Sequence, residues 1–190
     1  MERKSNYPIN QLFLKRWSPR AMSGEAVNDE ELMTLFEAAR WAPSSYNGQP
    51  WRFIYAKRDS ANWGKFFDLM VEFNQGWAKT AGALVVVFSA KNFSFNGEPA
   101  VTHSFDSGSA WMSLALQGAD MGLLAHGMQG FDYEKAREVL GVPEDHTVEA
   151  MVAIGKLGNK ENLVPDLQEK EAPSDRKPLE EIVMEGKFQE

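Results

Sequence analysis

Residues 83–88 read Ala-Leu-Val-Val-Val-Phe, six apolar side chains with no polar interruption. A strand points successive side chains to opposite faces, so an unbroken apolar run has both faces buried and needs cover on two sides. This stretch therefore predicts a central strand in a layered protein. It is also far too short to cross a bilayer, which takes about 20 apolar residues. At 190 residues, 43% of them apolar, the chain has the length and composition of one domain with a sizeable core.

The cover is legible on either side of the run. Asn28 followed by Glu31 is a capping-box pattern, and Leu32, Leu35, Phe36 and Ala39 then share a helical face. That helix is predicted to stop near Trp41, because Pro43 disfavours helical geometry in the residue before it. Trp51–Ala56 reads as a strand, and Ser60 is expected to open a second helix through about Phe73. Residues 104–123 form the longest helical candidate, rich in glycine and alanine, which lets another backbone approach closely. Asp132 is placed to cap a further helix ending at Gly141-Val142-Pro143, and Val148–Ile154 is another strand. Beyond Gly155 the chain turns polar, with Pro165, Pro173 and Pro178, before a short apolar segment at Leu179–Met184. We divide it into a core at 1–160 and an arm at 161–190 that docks on its own domain or on a neighbouring chain.

Charge and composition narrow the function. A net charge of -7 argues against a nucleic-acid partner, and the absence of cysteine removes disulfides, thiolate metal sites and cysteine nucleophiles. The start, MERKSNYPIN, has no apolar signal core, so a cytoplasmic protein with no membrane partner is the expectation. No Gly-x-Gly-x-x-Gly or P-loop pattern occurs. His103, His126 and His146 show no metal-ligand spacing, and each alone reads as a surface or packing residue. No metal site is expected.

Two stretches remain. In "RWSPR", residues 16–20, Pro19 favours an extended Ser18, and an extended chain points Arg16, Ser18 and Arg20 to one side. Two guanidiniums flanking a hydroxyl suit an anion, since arginine offers a charged fork to phosphate or carboxylate oxygens. Surface arginines in ion pairs are the plain alternative. In "WAPSSYNGQPWRF", residues 41–53, Ser44, Ser45 and Asn47 either shape the turn after the helix or address a ligand, and Trp41 and Trp51 fit a core. The spacing alone leaves both readings open.

Taken in order, "RWSPR", "APSSYNGQPWRF", "NQGWAKTAGALVVVF" and "DRKPLEEIV" resemble the nitroreductase family from about Lys15 to Val183. The resemblance implies an α+β fold: a mixed, mainly antiparallel sheet flanked by helices, with C-terminal arms exchanged in a homodimer so that one strand comes from the partner. It implies two FMN sites shared at the interface and NAD(P)H as electron donor. By this likeness Arg16, Ser18 and Arg20 clamp the flavin phosphate and pyrimidine edge. Pro43, Ser44, Ser45 and Asn47 face the flavin of the other subunit, and Asn74 lies near the ring's polar edge. Met128, Gln129 and Gly130 run along the flavin face, and Arg176 is a phosphate ligand. The chain departs from many members at Ser174, where some carry lysine, and at Gln129, where many carry glutamate.

The activity so implied is hydride transfer from NAD(P)H through flavin N5 to a small acceptor, a nitroaromatic or quinone, by a ping-pong mechanism with no catalytic side-chain nucleophile. Flavin-dependent dehydrogenation or dehalogenation on the same scaffold, and a non-catalytic FMN store or redox sensor, are the alternatives. Phe93, Phe95 and Phe131 are candidates for the acceptor pocket, and the segment from Lys91 to Ala100 is the one candidate lid.

Overall fold

In the computed structural model, which describes residues 3–188, four strands form one sheet: β1 (Trp51–Lys57), β2 (Ala83–Ala90), β3 (Leu123–Met128) and β4 (His146–Lys156). Their order is β1-β2-β4-β3, and all three pairings are antiparallel. The apolar run of residues 83–88 is indeed in a central strand. Leu84, Val86 and Phe88 join Met151 and Ala153 in one core layer, while Ala83, Val85 and Val87 join Val152 and Ile154 in the other. The period-2 alternation thus splits one strand between two cores.

The second layer is closed by α2 (Asp29–Arg40), through Leu32, Leu35 and Ala39, and by α5 (His103–Asp120), through Ala110, Leu114 and Ala115. Asn28 and Glu31 make the reciprocal capping box their spacing predicts. The first layer is closed by α3 (Trp63–Phe67), α4 (Glu72–Ala78) and α6 (Tyr133–Leu140), which bring Phe66, Trp77, Ala78 and Ala136 to it. Asp132 accepts from the Lys135 amide at the start of α6, and Gly141 ends it with φ 66, a left-handed position that glycine takes without strain. A short α1 (Leu12–Lys15) precedes the Arg16–Arg20 segment, and α7 (Pro165–Gln168) lies in the arm.

Several expectations change. The single helix from Ser60 to Phe73 is two short helices, α3 and α4, with an isolated bridge from Met70 to Phe131 between them. The helix of residues 104–123 ends at Asp120, where Gly122 turns at φ 75 and hands the chain to β3, a strand absent from the sequence reading. Trp51 is buried, but Trp41 is 74% exposed. Its indole donates to Glu37 and lies under the Arg40 guanidinium at 4.9 Å, so it packs on the end of its own helix rather than in the core. The four strands of the described chain pair antiparallel throughout, in keeping with the mainly antiparallel sheet expected. The segment around Leu179–Glu181 is a single 3-10 turn with Ile182 and Val183 exposed beyond it. No helix among the described residues is long and apolar enough to cross a membrane.

Candidate functional site

The Arg16–Arg20 segment leaves α1 in extended geometry, with Arg16 at φ -65 and ψ 123. Arg16, Ser18 and Arg20 meet at one cavity of about 390 Å³ as expected, though the intervening Trp17 lines it too, together with Arg3, Lys170, Ser174, Arg176 and His126. Arg16 Nη1 donates to Ser18 Oγ at 3.1 Å. Arg3 donates to the carbonyls of Leu14, Arg16 and Ser174, tying the start of the chain and the arm to the segment. Glu171 Oε1 accepts from the backbone amides of Arg20 and Ala21, at 2.7 and 2.8 Å. Part of the arm therefore packs on its own domain.

This cavity gathers positive charge. Among the described residues, Arg3, Arg16, Arg20 and Arg176 form no ion pair with a carboxylate, and Arg20 Nε is buried without a hydrogen-bond partner. Burial first, then the neighbouring Arg176 and Arg3, pull the Arg16 guanidinium below its ordinary value. Burial and Arg176 do the same to Arg3, with Asp175 opposing. Guanidiniums crowded in this way suit an anion of more than one charge, such as a phosphate monoester. His126 forms part of the wall, its Nδ1 at 3.0 Å from the Pro19 carbonyl and its ring 4.6 Å from that of Trp77. Burial lowers its pKa, so it is neutral at pH 7 and adds no further charge.

Arg16, Ser18 and Arg176 also border a larger cleft of about 770 Å³. Its far wall is the end of β3 with Gly127, Met128 and Gln129, and the first turns of α5 with Ser104, Ser107 and Trp111. Ser107 Oγ is buried there without a partner. In β4 the register against β2 slips between Val87 and Phe88, so that Ala150 pairs with Val87 and Val148 with Phe88. Glu149 is the extra residue of this β-bulge, and it joins its neighbour Ala150 on the cleft wall. Glu149 Oε1 accepts hydroxyl hydrogens from Ser89 and from Ser104, the latter at 2.7 Å. His103 Nδ1 lies 2.7 Å from Ser89 Oγ and 3.6 Å from the same carboxylate oxygen.

Gly130 follows the cleft wall, and a Cβ there would meet Asn74 Nδ2 at 2.6 Å. Asn74 is buried. Its amide donates to the Gly130 carbonyl at 2.9 Å and its carbonyl accepts from the Trp77 indole at 3.2 Å. It fixes the backbone after β3, and neither it nor Gly130 lines the two cavities.

Pro43, Ser44, Ser45 and Asn47 also lie outside both cavities. Their loop holds Tyr46, Asn47 and Gln49 at φ 50, 53 and 46, a left-handed cluster rare for residues other than glycine. The Ser45 amide donates to buried Asp106 of α5 at 3.1 Å, and Phe93 closes on Gly48, where a Cβ would sit 3.0 Å from its ring. Phe93 and Phe95 pack tilted at 5.1 Å, with Tyr46 edge-on to Phe93. Phe131 is instead core, stacked on Tyr133. The sequence reading missed Arg3, Asp106, Glu149 and Glu171. Only Glu149 carried a signal, a charge inside an otherwise apolar strand.

Comparison with known proteins bears on the chain as a whole. The model of the nitroreductase family matches residues 14–70 and 61–156. A crystal structure described as an oxidoreductase containing FMN superimposes with a TM-score of 0.94 at 47% identity, over 98% of this chain and 96% of that one. A Streptomyces coelicolor protein, named as a candidate NADH dehydrogenase/NAD(P)H nitroreductase, is 30% identical over 77% of this chain and 84% of its own. An NADH dehydrogenase of Thermus thermophilus is 28% identical over 90% of this chain and 92% of its own.

Proposed function

The chain belongs to the nitroreductase family, and on that premise we propose that it is an FMN-dependent oxidoreductase passing hydride from NAD(P)H to a small acceptor, a nitroaromatic, a quinone or a similar compound. The observation that carries this reading is the cluster of Arg3, Arg16, Arg20 and Arg176, which form no ion pair among the described residues, with Arg16 and Arg176 bordering the larger cleft as well. The donor set fits FMN: a doubly charged phosphate for the guanidiniums, and a cleft with an apolar floor of Val87, Ala115 and Val152 for a ring.

FMN supplies the hydride chemistry when bound. The protein's part is placement and charge. Arg16 and Ser18 border both cavities, so they tie the phosphate position to the ring position. A fixed cation near a ring that gains negative charge on reduction raises its electron affinity. Donor and acceptor use the cleft in turn, the ping-pong order. Gln129 provides an amide on the wall where many relatives carry glutamate, so it offers hydrogen bonds but holds no charge there.

The functional unit is a homodimer with two shared sites. The loop with Pro43, Ser44, Ser45 and Asn47 lines neither the arginine cavity nor the larger cleft of its own chain, in keeping with an address on the partner's flavin. Leu179, Ile182 and Val183, exposed beyond the docked part of the arm, supply the exchanged segment.

The test is anaerobic. Purified protein is expected to bind FMN and turn yellow, and NADH or NADPH is expected to bleach it, with colour returning on addition of a quinone. Protein that does not bind added FMN refutes the reading. Bound FMN that neither donor reduces refutes the catalytic part of it.

A further inference from the structure

Reducing a quinone or nitro group by hydride also consumes a proton. Among the described residues lining the cleft, the titratable groups are Arg16, Arg176 and Glu149, and the arginines stay charged. Glu149 is the carboxyl group in that wall because of a β-bulge. A regular β4 would alternate it away from Ala150, toward the opposite layer where Val148 and Met151 are buried.

The bonds behind it run in one direction. Ser89 is fully buried and donates its only hydroxyl hydrogen to Glu149 Oε1, so its contact with His103 must be one it accepts. His103 therefore carries its hydrogen on Nδ1. Its side chain is 21% exposed, which gives the line an outer end at solvent. Ser104 adds a second donor to Oε1, while Oε2 has no hydrogen-bond partner among the described residues.

We infer that Glu149 is the proton donor to the acceptor, resupplied from solvent through His103 and Ser89, on the reading that hydride transfer takes place in this cleft. The balance is closed. The acceptor gains a hydride, drawn from NAD(P)H by way of FMN, and a proton from Glu149 Oε2. Ser89 passes its hydrogen to Glu149 Oε1 and takes the Nδ1 hydrogen of His103, whose Nε2 takes one from water and leaves hydroxide to solvent; rotation of the carboxyl and the Ser89 hydroxyl, with tautomer exchange of His103 at its solvent end, restores the starting arrangement. Charged or titratable neighbours of this line are Tyr133 on α6, whose hydroxyl is raised by burial and then by Glu149 itself, and Arg16 and Arg176 across the cleft.

The test compares a quinone, which needs a proton, with ferricyanide, which takes one electron and none. For Glu149→Gln the ratio of quinone to ferricyanide turnover is expected to fall roughly a hundredfold, the usual scale of a general acid, and its pH dependence to disappear. Should that variant not fold, Ser89→Ala breaks the line at a buried methyl-sized site and is expected to lower the same ratio. A ratio and pH profile within about threefold of wild type in the folded variant overturn the inference, because a general acid is worth more than that. Equal loss with both acceptors overturns it too, since it marks a merely structural role. A second readout needs no flavin: imidazole nitrogen shifts of the apo protein are expected to show His103 protonated on Nδ1, and protonation on Nε2 alone overturns the line. Wild-type protein that reduces neither acceptor refutes the proposed function and the relay with it, whereas an unaltered ratio in active variants refutes the relay alone.

Discussion

The Ser45 amide and the Asp106 carboxylate, 3.1 Å apart, join the loop after α2 to the first turn of α5. Asp106 is 5% exposed and its Oδ2 also accepts from the Thr102 hydroxyl. Next to this bond three residues other than glycine hold positive φ. Such conformations cost of order 1 kcal/mol or more each and persist where the surroundings over-determine them. Asp106 on one side and Phe93 on the other are those surroundings. Asp106→Ala is expected to speed amide exchange at Ser45–Gln49 by roughly ten- to a hundredfold, the worth of a hydrogen bond to a charged group, while Asp106→Asn retains most of the protection. Because the same loop is proposed to face the partner's flavin, FMN affinity falls by the fraction of time the loop is open. Unchanged exchange in the alanine variant disproves the clamp.

Arg16 is held among cations, so its value depends on the ligand. In Arg16→Met, FMN dissociation is expected to rise roughly ten- to a hundredfold from the loss of charged hydrogen bonds worth about 1.5–3 kcal/mol. The flavin-free protein should lose no stability, since burial and the nearby Arg176 and Arg3 already disfavour the charged Arg16. Thermal melts with and without FMN separate the two effects. A large destabilisation of the apo form would show that Arg16 is structural.

His126 gives a pH signature. Burial lowers its folded-state pKa, so folding favours the neutral ring. Protonation therefore costs the native state more than the unfolded one. Stability from this group is complete above the unfolded value of about 6.5 and is lost as pH falls through that value toward the lowered one. Urea unfolding between pH 8 and pH 5 is expected to show that decline in wild type and a shallower one in His126→Gln. Parallel curves would place the decline elsewhere.

What the sequence made legible was what local chemistry controls. The capping box at Asn28 and Glu31, the cap at Asp132 with its stop at Gly141, and the burial of residues 83–88 all follow from neighbours in the chain. The meeting of Arg16, Ser18 and Arg20 at one cavity is of the same kind, although Trp17 between them lines it as well. β3 was missed because Leu123–Met128 carries a histidine and a glycine, and its strand character comes from pairing with β4. The bulge at Glu149 is a property of two strands and their register, so no window on β4 alone contains it. Arg3, Asp106 and Glu171 act on residues far along the chain, and nothing around them marks those partners.

The arm divides at Pro178. Before it, Glu171 and Ser174 are bonded to the Arg20 and Arg3 segments of the same chain, and Arg176 stands at the cleft. After it, Leu179, Ile182, Val183 and Phe188 are 40%, 60%, 65% and 78% exposed, apolar side chains that gain by burial against another surface. A chain stopped after Pro178 keeps both core layers and every arginine of the cavity. It is expected to retain its far-ultraviolet circular dichroism and melt cooperatively, yet to sediment with a weaker dimer and release FMN in proportion, because in the proposed dimer each site draws its second wall from the partner. Full dimerisation and full flavin occupancy in the shortened chain would mean that residues 179–190 are not the exchanged segment.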